Sequence, residues 1–339
     1  MVAYRNQFLE QMAVLRPRMA TYEGESMEQV VLPNLPSNIS EIILVTHDES
    51  VFYANDGITK TWGPANEHQI QRKSQGLSIH VSEFICESIG HLCLSEEDKV
   101  MNDLLPNDER IPYNEAYVTH KDFMKQVVER AIPIFEQMHP GKTALFMFDN
   151  SCSHNAYAND ALVVLQMNLK DEGKQPLLRD GKMPDSSVHI MTFVDEDGIK
   201  KPKGIQRILE ECGLWIENLQ KKCESCKLHI FDSTNEQYCA THILSCQPDF
   251  MSQKNHLKEV IEAAEHICIF YPKFHCELNY IEAFWRDILR FARRSERFMS
   301  AYAYGLLGRA AIFAVKKYWS HRCVPLSILY EFGHLNSSN

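Results

Sequence analysis

The strongest constraint in this chain is the stretch Ala144–His154, ALFMFDNSCSH. Five apolar residues run directly into Asp149 and Asn150, followed by small polar residues and a histidine. A short, wholly apolar run rich in Phe reads as a fully buried strand. In open α/β sheets the C-terminal edge of such strands is where ligands are bound. Asp149 is therefore either a cap for the following turn, where Asp and Asn are favoured, or a group lining a cleft.

Two further stretches repeat this logic. In Glu41–Ser50, EIILVTHDES, Ile42 to Val45 make a second buried strand, which ends in Thr46, His47, Asp48 and Glu49. In Cys276–Leu289, CELNYIEAFWRDIL, the residues Leu278, Ile281, Trp285, Ile288 and Leu289 recur at helical spacing, so one face is buried. Asn279 and Glu282, three apart, share a neighbouring face. Two strand-end aspartates and a helical glutamate can converge on one acidic pocket. Crowded carboxylates repel and need a counter-charge. Oxygen-only ligands suit Mg²⁺ or Mn²⁺, and two such ions bridged by carboxylates serve in-line attack on a phosphodiester.

The blocks THDES, FMFDNSCSH and YPKFHCELNYIEAFW, with PKGIQRILEECGLW and ILSCQPDF, together resemble the catalytic domain of mariner-like DDE transposases (DDE superfamily endonucleases). The likeness is to a eukaryotic, largely fungal-type branch with a long insertion before the third acid, and it runs from about Leu44 to about Arg294. It implies an RNase H-like fold, a mixed sheet flanked by helices with a large insertion before the last core strand. It also implies a catalytic, Mg²⁺- or Mn²⁺-binding triad of Asp48, Asp149 and Glu282 holding two ions. The partners so implied are DNA, as transposon ends and target, with a homodimer as candidate assembly and the nucleus as location. Glu49 beside Asp48, and Glu277 and Asp287 around Glu282, are rival acids, and the motif selects among them. His47 and His154 flank the aspartates as expected hydrogen-bonding partners rather than ligands.

Charge bears on the DNA expectation. The formal net charge is −10, which disfavours a phosphate backbone; its distribution matters more than its sum. From Arg286 to Arg322, bases including Arg290, Arg293, Arg294 and Arg297 face only Asp287 and Glu296, with aromatic residues interleaved. That region is either a solvated helical face or a phosphate-tracking surface beside the acids. No apolar run approaches membrane-spanning length and the N-terminus lacks an apolar signal core, so an intracellular, non-membrane protein is expected. Its eleven cysteines should then be reduced thiols or metal ligands.

In chain order, residues 1–40 read as a connector, helical at Tyr4–Met12 and interrupted at Pro17. They are too short for the helix-turn-helix region that such transposases carry upstream. Residues 41–167 form the first part of the core. The expected elements are strands at Ile42–Val45, Val51–Tyr53 and Leu77–Cys86, a hairpin turn at Asn55-Asp56-Gly57 with a return arm at Lys60–Trp62, and an irregular 91–118. A helix follows over Lys121–Met138 that Pro133 kinks or breaks, then the Asp149 strand and a helix at Asn159–Met167. Residues 168–250 form the insertion, with short helices at Ile205–Cys212 and Trp215–Lys222 and too polar to build a core of its own. Residues 251–295 complete the core with a helix at Lys254–Ala264, the strand HICIFY and a helix at Glu277–Ser295; 296–339 is helical. The first and fourth strands must be neighbours if Asp48 and Asp149 are to meet.

Within the insertion, Cys223-x2-Cys226 and Cys239-x2-His242 have the pair-loop-pair spacing of a structural Zn²⁺ site, with Cys246 to spare. The alternative is scattered core thiols. Tyr238 departs from the adjacent cysteine pair of similar insertions, so His242 has to supply the fourth ligand. Three functions are thus consistent with the sequence. The first is a DDE-type transposase or endonuclease. The second is a truncated or host-adopted derivative that binds DNA or a transposase without cutting. The third is a stand-alone nuclease for other nucleic acids.

Overall fold

The structure, a computed structural model, describes residues 2–24, 29–53, 74, 78–112, 123–183, 187–223, 239–275, 278–282 and 285–286. The chain divides into two compact units, Met1–His154 with Leu257–Asn339, and Asn155–His256.

The first unit is built on a five-stranded mixed sheet. Its strands are β1 (Ile42–Tyr53), β2 (Ser78–Cys86), β3 (Gly90–His91), β4 (Thr143–Phe148) and β5 (Ile267–Phe270), in the spatial order β5-β4-β1-β2-β3. β1 and β4 pair in parallel from Ile42↔Thr143 to Thr46↔Met147, and β4 pairs in parallel with β5. β2 runs antiparallel to β1 and to β3. Because β1 and β4 carry apolar residues at consecutive positions, both of their faces must be covered. On one face Ile42, Leu44, Leu145 and Met147 pack with Phe8 and Met12 of α1 (Val2–Leu15) and with Tyr280, Ile281 and Trp285. On the other, Ile43, Val45, Ala144, Phe146 and Phe148 meet Phe123, Val127, Ile134, Phe135, Leu257 and Ile261.

Several elements differ from the sequence expectation. β1 is one continuous strand, not two separated by a polar break, because β2 pairs with it from Val45↔Cys86 through Tyr53↔Ser78. Asp48 therefore lies inside a strand, just beyond the point where the parallel β4 ladder stops. The expected turn at Asn55-Asp56-Gly57 and the arm at Lys60–Trp62 lie outside the described residues. The stretch read as irregular contains β3 and α2 (Glu96–Leu104). Ser95 accepts a hydrogen bond from the Asp98 backbone N–H, and three acids fill the first turn, a capping signature that the reading of this stretch as irregular missed. α3 (Phe123–Gln126) and α4 (Ile132–Met138) are joined by a π turn, Val127–Ala131, rather than broken. Pro133 sits at the start of α4 and has no N–H to close the usual bond to the preceding turn; widening of that turn is one way to absorb the defect. The N-terminal stretch is more than a connector, since α1 contributes to the core. α5 (His256–Ala263) precedes β5. Beyond β5, Ile281-Glu282 and Trp285-Arg286 are helical, and the helices expected further on lie outside the described residues.

The second unit has its own core. Leu162, Val164, Met167, Leu178, Met191, Ile205, Ile208, Leu209, Ala240, Leu244 and Phe250 are buried together, so the segment expected to be too polar for a core builds one. Its elements are the helices Ile205–Glu211, Ala240–Ser245 and Pro248–Met251 and two antiparallel ribbons, Gly181–Lys182 with Val188–His189 and Thr192–Val194 with Lys200–Pro202. The helix expected at Asn159–Met167 is reduced to a 3₁₀ turn, Val164–Gln166, and Trp215–Lys222 is not helical. In both, large apolar residues at helix-like spacing serve an irregular segment that packs on neighbours. Among the described residues no helix is long and apolar enough to cross a membrane.

One buried carboxylate closes the sheet where β2 ends. Glu87, 1% exposed, accepts the Leu44 N–H through Oε1 at 2.9 Å and donates its own N–H to the Leu44 carbonyl at 3.0 Å. Its side chain thus replaces the next rung of the ladder. Glu87→Ala leaves the Leu44 N–H buried without that partner and should cost about 1–3 kcal/mol in urea unfolding. Glu87→Gln keeps an acceptor and should lose less; equal losses would contradict the assignment.

Candidate active site

Alternation along the strands sorts the acids. Residues two apart share a face, so Asp48 follows Ile42, Leu44 and Thr46, while Asp149 follows Leu145 and Met147. Asp48 continues the face on which Tyr280, Ile281 and Trp285 pack and bonds the Trp285 indole; Asp149 directly follows the end of β4, and its partner His154 packs against His47, Phe123 and Phe148. Glu49 goes to the opposite side, where its carboxylate pairs with His80 at 3.3 Å. The rivals Glu277 and Asp287 lie outside the described residues.

The segment carrying Glu282 is fixed to the sheet by a buried polar cluster. The Thr46 hydroxyl lies 2.8 Å from the Tyr271 hydroxyl and 3.4 Å from Asn279 Oδ1, with all three side chains buried. Tyr271 in turn donates its N–H to the Phe148 carbonyl at 2.8 Å and accepts from Asn150 Nδ2 at 3.2 Å. Tyr280 donates to the Ile85 carbonyl at 3.3 Å. Glu282 is exposed, and its N–H is bonded to the Asn279 carbonyl at 3.2 Å. Thr46 and Tyr271 were not candidates from the sequence. The available signal was a polar residue in an apolar strand, two positions before an aspartate and therefore on its face.

The two aspartates have different environments. Asp48 accepts a hydrogen bond from the Trp285 indole at 3.1 Å. Burial first, then the charge of Glu282 and more weakly that of Asp149, push its carboxyl up to about 7 despite hydrogen bonds from Trp285 and the Glu49 backbone. Burial also acts to raise Asp149, but the hydrogen bond and charge of His154, with bonds from Ser151, outweigh it and hold that carboxyl below the ordinary value. His154 reaches Asp149 through Nδ1 while its ring is buried. His47, on the opposite face, packs against Phe84, Phe123 and Phe148 and pairs with the Ser82 hydroxyl at 2.8 Å. Burial, then His154, keep its imidazole well below the usual range. Both histidines thus act as hydrogen-bonding partners, His154 on the acid itself.

Glu282 and Asp149 thus both act electrostatically on Asp48. Even so, among the described residues no three His, Cys, Asp or Glu side chains are gathered as a ready metal-binding group. Their donor set, carboxylate oxygen alone around a carboxyl raised by like charges, fits a hard divalent cation such as Mg²⁺ or Mn²⁺ rather than a soft metal. Of the expected Zn²⁺ ligands, Cys239 is 2% exposed, Cys223 and His242 are half-buried, and Cys226 lies outside the described residues. Of the basic residues, Arg286 is exposed, and Arg290, Arg293, Arg294 and Arg297 lie outside the described residues. No family model, curated protein or solved structure matches the chain.

The raised carboxyl of Asp48 has a consequence for stability. Its folded-state pKa of about 7 lies above the unfolded value, so the folded protein binds more protons between about pH 4 and 7. Stability from this group is present at acid pH and lost as pH rises through 7. In metal-free buffer Asp48→Asn should therefore be more stable than wild type at pH 8, by about 2–4 kcal/mol, with the gap closing toward pH 4.5. Urea unfolding at the two pH values measures this; a gap independent of pH would contradict the environment described.

Proposed function

We propose that the chain is the catalytic domain of a DDE-type transposase or endonuclease that cleaves and transfers DNA phosphodiesters. The observation that carries the reading is that Asp48 and Asp149 stand at the ends of neighbouring parallel strands, with the Glu282 segment anchored against Asp48 through Trp285. The strand order supports an RNase H-like fold: three antiparallel strands, β1 to β3, followed by β4 and β5 parallel to β1. So does the pairing of the first and fourth strands that the resemblance requires.

In this reading Asp48, Asp149 and Glu282 would hold two Mg²⁺ or Mn²⁺ ions, which supply an activated water or 3′-hydroxyl and charge neutralisation at the leaving oxygen. The protein's part is position. His154 holds one oxygen of Asp149, the Trp285 indole holds one oxygen of Asp48, and the Thr46–Tyr271–Asn279 cluster fixes the start of the Glu282 helix. The exposed Arg286, followed in sequence by Arg290, Arg293, Arg294 and Arg297, offers the basic surface that a DNA backbone needs beside such acids. DNA as substrate, a nuclear location and a homodimer belong to this proposal.

A second reading, a DNA- or transposase-binding derivative that does not cut, draws on the same contacts. Trp285 and His154 each occupy a carboxylate oxygen that a metal would otherwise use. Purified protein incubated with supercoiled DNA and Mg²⁺ or Mn²⁺ decides between them. The catalytic reading expects nicking that falls on the order of 10²–10³-fold in Asp149→Asn and Glu282→Gln. DNA binding without nicking selects the second reading. Arg293→Ala with Arg294→Ala should weaken binding to all sequences alike and flatten its salt dependence, since phosphate contacts carry no base code. Unchanged binding by that variant would reduce the region to a solvated helix face.

A further inference from the structure

The second unit contains a cluster that the proposed chemistry does not use. The Cys212 thiol, at the C-terminal end of the helix Ile205–Glu211, donates toward Met183 Sδ at 3.8 Å and lies 3.8 Å from His189 Nδ1. His189 is 6% exposed, and its other nitrogen, Nε2, is 2.7 Å from Glu211 Oε2. That carboxylate is also held by Lys203 Nζ at 2.7 Å and, through Oε1, by Arg207 Nε at 3.5 Å.

A thiol packed on a thioether needs no metal to explain it. The imidazole sets this cluster apart. Glu211, kept ionised by two cations, accepts a hydrogen bond from His189 Nε2–H and so fixes the tautomer in which the Nδ1 lone pair faces the sulfur. A carboxylate behind a histidine is the usual outer support of a metal-bound imidazole. The spacing fits as well. Two sulfurs each about 2.3 Å from one ion, at tetrahedral to trigonal angles, stand about 3.8–4.0 Å apart, and a sulfur and a nitrogen about 3.6–3.8 Å apart.

We propose that Cys212, His189 and Met183 form a binding site for a single Cu(I) ion. The donor set decides the metal. A thiolate and a thioether on one ion are soft ligands that favour Cu(I), whereas Zn²⁺ is bound by thiolate, imidazole and carboxylate and gains little from a thioether. Binding exchanges the thiol proton of Cys212 for the metal and releases it to solvent, with no change in oxidation state. The ion ties the ribbon Gly181–Lys182 with Val188–His189, from whose two ends Met183 and His189 come, to the end of the helix that carries Glu211. Carboxylate-only sites are the wrong chemistry for Cu(I), so this site is separate from the acids of the first unit. It also does not depend on whether those acids cut DNA.

The test is anaerobic titration of the full chain with Cu(I), in competition with the chelator bathocuproine disulfonate, following the ultraviolet copper–thiolate absorption. The wild type is expected to hold one Cu(I) more than Cys212→Ser. Met183→Leu, which keeps the packing volume, should bind at least about tenfold more weakly. Glu211→Gln, which leaves the three ligands in place, should lose about 10–100-fold. Thermal melts of the metal-free variants check that each is folded, and Cu(I) should raise the melting temperature of the wild type but not of Cys212→Ser. Equal copper content in wild type and Cys212→Ser would overturn the proposal. So would Met183→Leu binding like the wild type, or Zn²⁺ held at Cys212 more tightly than Cu(I).

Discussion

The parallel ladder between β1 and β4 governs the rest of the first unit. Its five rungs, Ile42↔Thr143 to Thr46↔Met147, align two apolar strands whose residues are buried on both faces. Two consequences follow. Helices must cover both sides, which recruits α1 on one face and α3, α4 and α5 on the other. And Asp48 and Asp149 come just beyond the ends of two neighbouring parallel strands, near enough for the charge of Asp149 to act on Asp48. A one-residue slip in this pairing would move the apolar set of β4 to the wrong face and separate the two acids.

The buried strands and their acids were the most legible part of the sequence. ALFMF and IILV can only be interior strands, and each leads into its aspartate within four residues. What the sequence concealed was how far β1 continues. Thr46 to Ser50 look like the end of a strand when hydrophobicity alone is read, yet β2 pairs with them and keeps them extended. The polar cluster of Thr46, Tyr271 and Asn279 was hidden for a related reason, since its members are far apart in the chain and only the sheet brings them together. The second unit was misjudged on composition. Its core comes from residues spread between Leu162 and Phe250, few of them consecutive, so no window along the chain looks apolar. The same dispersion hid Met183, His189 and Cys212, which share no motif spacing.

The electrostatics of the two aspartates give the site its character. Asp149 has His154 as a built-in counter-charge and hydrogen-bond donor. Among the described residues Asp48 has an indole N–H and a backbone bond, and it meets the charges of Glu282 and Asp149 in a buried setting. A protein with no use for such an arrangement would gain stability by replacing Asp48 with a neutral residue. On the function proposed above, the repulsion of like charges around one carboxyl would be the cost of keeping a cation site ready.

The central claim is that Asp48 and Asp149 are joint donors to one of the two hard cations of the proposed site. Its most direct test is a crystal of the protein soaked in Mn²⁺ and measured for anomalous scattering. The account predicts a peak bounded by the carboxylates of Asp48 and Asp149, with Glu282 turned toward it. An ordered site with no peak at saturating Mn²⁺, or with the two carboxylates on opposite faces of the sheet, would contradict it.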